Sequence, residues 1–227
     1  MKISVVMPTM NEEGAIGRVI EDALKHGAPW DPEIVVVDSS KDRTPEIAES
    51  LGARVICQEP KGHGLALRAA MLAAEGDVVM TTDCDDTYPM GYIPRFMELI
   101  ERDGYDAVSG NRIHKGNRAM PFANKVANRS FASLVRLLYR ISTHDVTTGM
   151  HAFKREIVRG ISWETNYSFP CELIVKAVQH GYRWRELDIP YRERVGEVTL
   201  NRWRSGKAYM NFIIGYRFGT KLAKWPL

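Results

Sequence analysis

The segment 78–86 reads VVMTTDCDD, an almost continuous apolar run that is followed at once by three carboxylates within four residues. A short apolar run bounded by polar residues is typical of a strand buried on both faces of a parallel sheet. The segments 3–7 (ISVVM) and 34–37 (IVVV) have the same character and also end in polar residues. Helical patterns separate these runs. We therefore predict an α/β fold with a mostly parallel central sheet flanked by helices.

The same patterns give bounds for the remaining elements, and glycine, proline, aspartate and asparagine separate them. The predicted strands are 3–7, 34–37, 54–57, 78–81, 107–109, 150–154 and 183–189. The predicted helices are 13–25, 45–50, 65–74, 94–102, 124–138 and 172–180, with a last one from about residue 207. No repeat or low-complexity linker interrupts them, which favours one continuous domain.

Composition and charge narrow the class of protein. The chain has 227 residues, 44% hydrophobic and 26% charged, which excludes fibrous, disordered and disulfide-framework proteins. The net charge of +3 conceals two opposed halves. Residues 1–110 carry 10 basic and 20 acidic side chains, and residues 111–227 carry 21 basic and 8 acidic ones. Such asymmetry points to an anionic partner handled by one half.

Cysteine usage and hydropathy indicate the compartment. Cys57, Cys84 and Cys171 are few and widely spaced, with no C-x-x-C pair, which favours a reducing, cytoplasmic location. We find no signal-peptide pattern at the N-terminus and no apolar window long enough to span a bilayer. We expect a cytoplasmic protein whose contact with a membrane, if any, is peripheral on the cytoplasmic face.

The residues just beyond the first, second and fourth strands carry the chemistry. In an open α/β sheet, ligands bind beyond the carboxyl ends of the strands, so these three loops should meet at one edge. Asp83, Asp85 and Asp86 repel one another unless a cation compensates them. A divalent ion such as Mg²⁺ or Mn²⁺, held by one or two carboxylates and completed by substrate phosphates, fits this pattern. A solvated acidic loop is the alternative.

Several motifs then occur in order along residues 3–200. They are SVVMPT at 4–9, NEE at 11–13, VVVDSS at 35–40 with Asp42 and Thr44, KGHG at 61–64, DCD at 83–85 with Pro89, and GNR at 110–112. Asp145 with Thr148-Gly149, and Arg194 with Gly196, complete the series. With these motifs the chain resembles the inverting family 2 glycosyltransferases of GT-A fold. Within that family it is most similar to the polyprenyl-phosphate group, which contains dolichol-phosphate mannose synthase.

The resemblance implies a nucleoside-diphosphate sugar as donor, with uridine and guanosine both open, and a divalent metal, Mg²⁺ or Mn²⁺, on Asp83 and Asp85. It implies one catalytic domain over 1–205, with a nucleotide- and metal-binding half (1–110) and an acceptor half (111–205). The implied donor-binding residues are Pro8, Asn11, Glu12, Asp38, Lys61, Asp83, Cys84 and Asp85. We take Asp85, Asp145, Arg112 and Arg194 as the catalytic candidates.

The acceptor decides whether a general base is needed. A phosphate monoester is already anionic near neutral pH, so it needs cations rather than a base. Since arginine suits phosphate contacts, we predict acceptor binding by Arg118, Arg129, Arg202 and Lys207. A polyprenyl phosphate is the first hypothesis. A soluble hydroxyl acceptor with Asp145 as base is the second, because Val198 and Thr199 stand where the related synthases usually have Ser-Lys.

Two further expectations concern partners. A nucleic-acid-binding module is the remote alternative, but the acidic loops would repel a phosphate backbone, so we expect no nucleic acid. The stretch 206–227 mixes aromatic residues with Arg217, Lys221 and Lys224, and we predict an amphipathic helix there. Such a helix suits a membrane interface. Packing on its own domain or on a second copy in a homodimer is the alternative.

Overall fold

The computed structural model describes residues 1–114, 117, 119–195 and 202–219, with only the backbone of Arg202. Seven strands form one sheet in the order β3-β2-β1-β4-β6-β5-β7. The strands are β1 (Ile3–Thr9), β2 (Glu33–Asp38), β3 (Arg54–Cys57), β4 (Val78–Thr81), β5 (Ala107–Asn111), β6 (His151–Lys154) and β7 (Trp184–Asp188). Only β6 is antiparallel to its neighbours, β4 and β5. The predicted α/β fold with a mostly parallel sheet is confirmed.

Helices cover both faces of the sheet. They are α1 (Ile16–Gly27), α2 (Thr44–Ser50), α3 (His63–Ala73), α4 (Ile93–Glu101), α5 (Phe122–Tyr139), α6 (Arg155–Gly160), α7 (Phe169–Gln179) and α8 (Arg202–Phe218). Along β1, Val5 and Met7 pack with α1 and α4, whereas Val6 packs with α3 on the opposite face. Because both faces of each inner strand are buried, the strands read as continuous apolar runs.

A third apolar cluster joins α5, α7 and α8. Tyr209, Phe212 and Ile213 of α8 are buried in it, and the hydroxyl of Tyr139 in α5 donates to the carbonyl of Ile213 over 2.6 Å. The last helix therefore packs on its own domain through one face. Trp203, on the outer face, remains 84% exposed.

Some predicted bounds are corrected. The last helix begins at Arg202 rather than near residue 207, so it crosses the predicted boundary at 205. An amphipathic helix has one apolar and one polar face, whereas the outer face of α8 carries apolar as well as basic side chains. Helix α1 begins at Ile16, not at Glu13, and α6 was not predicted. Residues 220–227 of the predicted terminal helix lie outside the described part.

A helix that crosses a bilayer must be both long and apolar. Across the described ranges of the chain, no helix combines the length and the apolar composition needed to cross a bilayer.

Candidate active site

The carboxyl ends of β1, β2 and β4 meet at one edge of the sheet, as predicted. Thr9 lies opposite Asp38 in the β1–β2 pairing, and its hydroxyl donates to Asp38 Oδ1 over 2.6 Å. The backbone N–H of Ser40 donates to Asp38 Oδ2 over 2.9 Å. Asp38 is 2% exposed. Its carboxylate thus ties the two loops together, and only its remaining acceptor positions can serve a ligand.

The loop after β1 is held against the loop after β2. Asn11 has a positive φ of 58°, and its N–H donates to Ser40 Oγ over 2.7 Å. The Asn11 side-chain oxygen accepts from the N–H of Lys41 over 2.9 Å. The N–H of Glu12 donates to Thr44 Oγ1 over 2.9 Å. These contacts place Glu12 at the edge where the acidic loops converge.

Asp83 and Asp85 have different partners. Asp83 Oδ1 accepts from His63 Nε2 over 2.9 Å. Asp85 Oδ1 accepts from the N–H of Thr87 over 3.1 Å, while Arg194 Nη2 lies 3.1 Å from Asp85 Oδ2. The same Arg194 nitrogen is 3.5 Å from Glu12 Oε1. The D-x-D carboxylates are therefore paired with a histidine and an arginine from distant parts of the chain.

The surroundings of these carboxylates shift their pKa values in opposite directions. Burial raises the pKa of Asp83, but the hydrogen bond from His63 and the charges of His63, Arg112 and Arg194 together outweigh burial and lower that pKa. Burial and the charge of Asp83 raise the pKa of Asp85. Burial also raises the pKa of Glu12, with Arg194 opposing. Carboxylates with opposed shifts in one cleft are typical of functional sites.

The loop after β7 is anchored on the D-x-D segment by its backbone. The N–H of Arg192 donates to the carbonyl of Thr87 over 3.1 Å, and the N–H of Val195 donates to the carbonyl of Asp85 over 3.0 Å. Arg194 lies between these two anchors. Arg194, from the basic half of the chain, thus places its guanidinium beside carboxylates of the acidic half.

Arg112 and Asp145 form a separate buried pair. Arg112 Nε lies 2.7 Å from Asp145 Oδ2, and Arg112 Nη2 lies 3.1 Å from Oδ1. The Arg112 guanidinium also lies over two aromatic rings, 5.7 Å from the centroid of Tyr88 and 5.1 Å from that of Tyr191. Asp145 is fully buried and accepts from Thr147 as well. Both side chains are committed to each other and to their neighbours.

The pKa of Asp145 agrees with this geometry. Burial would raise it, but the charge of Arg112 and the hydrogen bonds outweigh burial and lower it. A general base needs a carboxylate oxygen that reaches the proton it removes. Asp145 instead holds both oxygens against Arg112, which suits a positioning role.

The remaining predicted residues differ in burial and in their distance from this edge. Cys84 is buried, and burial raises the pKa of its thiol well above the usual range, so its side chain is a neutral packing group. Pro8 is half-buried at the end of β1, and Lys61 is exposed before α3. Arg129 on α5 and Lys207 on α8 are exposed. Arg118 lies outside the described residues, as does the side chain of Arg202.

Three site residues were not singled out from the sequence: His63, Tyr88 and Tyr191. His63 lies inside the KGHG motif, which is the sequence feature that points to it. The local sequence does not indicate that its ring reaches Asp83. The two tyrosines are 103 positions apart and meet only around Arg112. Their pairing depends on tertiary structure.

Metal binding by protein groups alone is not supported. Within the described ranges, no group of three or more histidine, cysteine, aspartate and glutamate side chains is placed to hold an ion. Two carboxylates leave the other positions of a six-coordinate cation to water or to substrate phosphates.

The architecture is that of the GT-A glycosyltransferases. A similar solved structure is glucosyl-3-phosphoglycerate synthase from Mycobacterium tuberculosis in complex with Mn²⁺, UDP and phosphoglyceric acid. It has a TM-score of 0.76 and 22% identity, over 96% of this chain and 78% of that one. Mannosyl-3-phosphoglycerate synthase from Rubrobacter xylanophilus also has a TM-score of 0.76, at 19% identity over 97% of this chain and 76% of that one. At these identities the likeness concerns the fold.

Sequence comparison defines the family. The model of glycosyl transferase family 2 matches residues 4–161, and the chain belongs to that family. It is 49% identical over 212 residues to a dolichyl-phosphate hexose transferase of Haloferax volcanii, covering 93% of this chain and 92% of the relative. It is 32% identical to the low-salt glycan biosynthesis hexosyltransferase Agl6 of the same organism, covering 96% of this chain and 55% of the relative. The protein is a glycosyltransferase, and the predicted family and fold are confirmed.

The buried pair yields a stability prediction. We expect Asp145→Asn to lower the free energy of unfolding at pH 7 by about 3–5 kcal/mol, because Arg112 would keep a buried, uncompensated charge. Asp145 has a depressed pKa when folded, so its contribution is present above the unfolded pKa of about 3.9 and is lost as pH falls further. Urea unfolding at pH 7 and at about pH 3 measures both effects.

Asp31→Asn is the matched control, because the Asp31 side chain is 87% exposed. We expect it to change the free energy of unfolding by no more than about 0.5 kcal/mol. The interpretation of Arg112 and Asp145 as a buried ion pair would be contradicted if Asp145→Asn lowered the free energy of unfolding by less than about 1 kcal/mol at pH 7. It would also be contradicted if the effect of Asp145→Asn were as large at about pH 3 as at pH 7.

Proposed function

We propose that this glycosyltransferase transfers a hexose from a nucleoside-diphosphate sugar to a polyprenyl phosphate of the dolichyl type, with inversion at the anomeric carbon and with Mg²⁺ or Mn²⁺ as cofactor. The observation that carries the choice of acceptor is the commitment of Asp145 to Arg112. A hydroxyl acceptor calls for a base, whereas a phosphate oxygen does not. The relative named a dolichyl-phosphate hexose transferase supports the same acceptor.

The chemistry of the donor set fits a hard divalent cation. Asp83 and Asp85 offer carboxylate oxygens at the edge of the sheet, and Mg²⁺ or Mn²⁺ typically takes one or two carboxylates together with substrate phosphates. The structural neighbour in complex with Mn²⁺ and UDP supports this proposal. When bound, the metal would neutralise negative charge on the departing nucleoside diphosphate.

The chain's own residues have the following proposed roles. Asp85 and Asp83 hold the cation, and Glu12 and Asp38 accept hydrogen bonds from the nucleoside. Arg194, 3.1 Å from Asp85, lies where it can bind an acceptor or leaving-group phosphate beside the cation. Arg112, with Asp145, Tyr88 and Tyr191, fixes the segments around that point. A phosphate oxygen of the acceptor would then displace the nucleoside diphosphate in a single in-line step.

A membrane surface is the second part of the proposal. Neither α5 nor α8 contains an acidic residue, and together they carry seven basic ones. Their exposed apolar side chains include Phe122 (79%), Leu137 (77%), Trp203 (84%) and Phe218 (66%). A shallow groove of about 540 Å³ runs along α5 past Arg129. Cations interspersed with exposed aromatics suit the surface of an anionic bilayer, where a lipid-linked acceptor would be presented.

The acceptor can be tested directly. We expect purified protein with Mn²⁺ and a panel of UDP- and GDP-hexoses to glycosylate dolichyl phosphate, but not dolichol, which has the same chain without the phosphate. NMR of the product should show the anomeric configuration opposite to that of the donor. Asp85→Asn should lower kcat by at least about 100-fold, because loss of charge stabilisation at a transition state typically costs this much.

Asp86→Asn is the matched control, since Asp86 pairs with Arg18 and Arg192 rather than with the cluster. It should retain most activity. Equal transfer to dolichol, or transfer confined to soluble hydroxyl compounds, would contradict the proposed acceptor. Retention of configuration would contradict the single displacement.

Membrane binding has its own test. We expect the protein to co-sediment with vesicles containing anionic phosphatidylglycerol and to bind vesicles of neutral phosphatidylcholine several-fold less, with the difference falling as salt is added. Trp203→Ala should weaken binding to the anionic vesicles.

The control is Leu72→Ala, which removes a 47% exposed apolar side chain from α3. It should leave vesicle binding unchanged. The proposed membrane surface would be contradicted if vesicle binding changed neither with lipid charge nor with Trp203→Ala. Absence of binding at low salt would also contradict it.

A further inference from the structure

Asp83 is fixed from two sides. His63 Nε2 donates to Oδ1 over 2.9 Å. On the other side, a Cβ placed on Gly149 would lie 2.9 Å from Asp83 Oδ2, so a larger residue there would displace the carboxylate from this orientation. Gly149 is itself held, since its N–H donates to the hydroxyl of Tyr88 over 2.6 Å and its carbonyl accepts from Thr81 over 2.7 Å. The orientation of Asp83 therefore depends on where His63 lies.

His63 is the first residue of α3, and its position depends on the loop that precedes the helix. The N-cap residue is Gly62, which makes no side-chain cap hydrogen bond. Asn166 supplies the missing contact from more than 100 residues away: its Oδ1 accepts from the N–H of Gly64 over 2.9 Å. Its Nδ2 donates to the carbonyl of Lys61 over 3.0 Å. One amide side chain thus clamps both ends of the segment 61–64.

The clamp is tightly packed. A Cβ on Gly64 would overlap the backbone carbonyl of Asn166. The two backbones therefore approach more closely than any other residue at position 64 would allow. The glycines of the KGHG motif thus accommodate Asn166.

Asn166 is in turn anchored by a buried carboxylate in α7. Glu172 is fully buried, and it accepts from the N–H of Glu164 over 2.9 Å and from the N–H of Thr165 over 2.8 Å. Lys176 Nζ lies 2.7 Å from Glu172 and balances its charge. The loop that presents Asn166 is therefore fixed to the core of the domain.

We infer that Asn166 is a positioning residue for the D-x-D carboxylate: it sets Asp83 through the segment 61–64 and the ring of His63. Asn166 lies beyond residues 4–161, which the family model matches. The inference rests on the proposed function, since it assigns Asp83 to the metal-assisted binding of a nucleoside diphosphate. Asn166 acts through His63 and is not itself a catalytic residue.

Calorimetric titration with UDP and GDP, each with MnCl₂ and with EDTA, tests this role. Asn166→Leu keeps the size of the side chain and removes its hydrogen bonds. We expect it to weaken Mn²⁺-dependent nucleotide binding by roughly 10-fold, the usual lower range for loss of an outer-shell partner, and to leave binding in EDTA unchanged. Asn166→Asp keeps the acceptor for the Gly64 N–H but loses the donor to Lys61, so its binding should fall between that of the wild type and that of Asn166→Leu; it serves if the leucine variant folds poorly.

A double-mutant cycle tests the route through His63. If Asn166 acts through that ring, His63→Leu combined with Asn166→Leu should bind no more than about 2-fold more weakly than His63→Leu alone. Gln179→Ala, which removes an exposed amide from the end of α7, is the control and should bind like the wild type.

The outcomes separate the two claims. If the wild type binds neither nucleotide with Mn²⁺, the proposed function fails. If the wild type binds and Asn166→Leu binds equally well, the inference alone fails. Three further results would overturn the inference. They are an equal loss of nucleotide affinity in MnCl₂ and in EDTA, additive effects of the two substitutions in the double-mutant cycle, and an Asn166→Asp variant that binds as weakly as Asn166→Leu.

Discussion

Repulsion among carboxylates at one edge of the sheet is the constraint on which the rest of the structure depends. Glu12, Asp83 and Asp85 converge there because β1 and β4 are parallel neighbours. Without compensation, like charges in a partly buried cleft would oppose folding of these loops. Arg194 lies within 3.5 Å of Glu12 and 3.1 Å of Asp85, and His63 lies 2.9 Å from Asp83. These contacts therefore offset part of the repulsion among the three carboxylates.

This compensation explains how the two oppositely charged halves of the chain make one domain. Arg192 and Arg194 come from the basic half, and they pair with Asp86, Asp85 and Glu12 of the acidic half. Backbone hydrogen bonds from the same loop to Thr87 and Asp85 reinforce the contact. The loop that carries Arg194 is thus built onto the segment that we assign to the donor. Donor and acceptor phosphates would meet where the halves join.

The fold and the acidic edge could be predicted because they depend on local patterns. Apolar runs located β1, β2 and β4, and the polar residues that follow these strands placed the three loops together. The start of α8 at Arg202 was not predicted because its first five residues, RWRSG, contain one apolar side chain and show no helical period, and the short α6 carries too few residues for a clear period. The sequence indicated an anionic partner, and the ion pairs across the halves show that part of the basic excess is used internally.

The partners of the site residues could not be predicted in the same way. Asn166 and Gly64 are separated by 102 positions, and Arg112 and Asp145 by 33. No periodicity or motif spacing encodes such pairings, because they follow from how loops pack once the sheet has formed. The commitment of Asp145 to Arg112 is the most consequential of them, since the sequence alone left open whether Asp145 is a base.

Anomalous diffraction at the manganese edge, from crystals grown with MnCl₂ and the nucleoside diphosphate that binds, tests the central claim most directly. We expect one strong peak in contact with the Asp85 carboxylate and the diphosphate, with Arg194 displaced from Asp85 toward the phosphates. A peak away from Asp83 and Asp85, or a bound nucleotide with no manganese at these carboxylates, would contradict the proposal that this acidic edge is the metal and donor site.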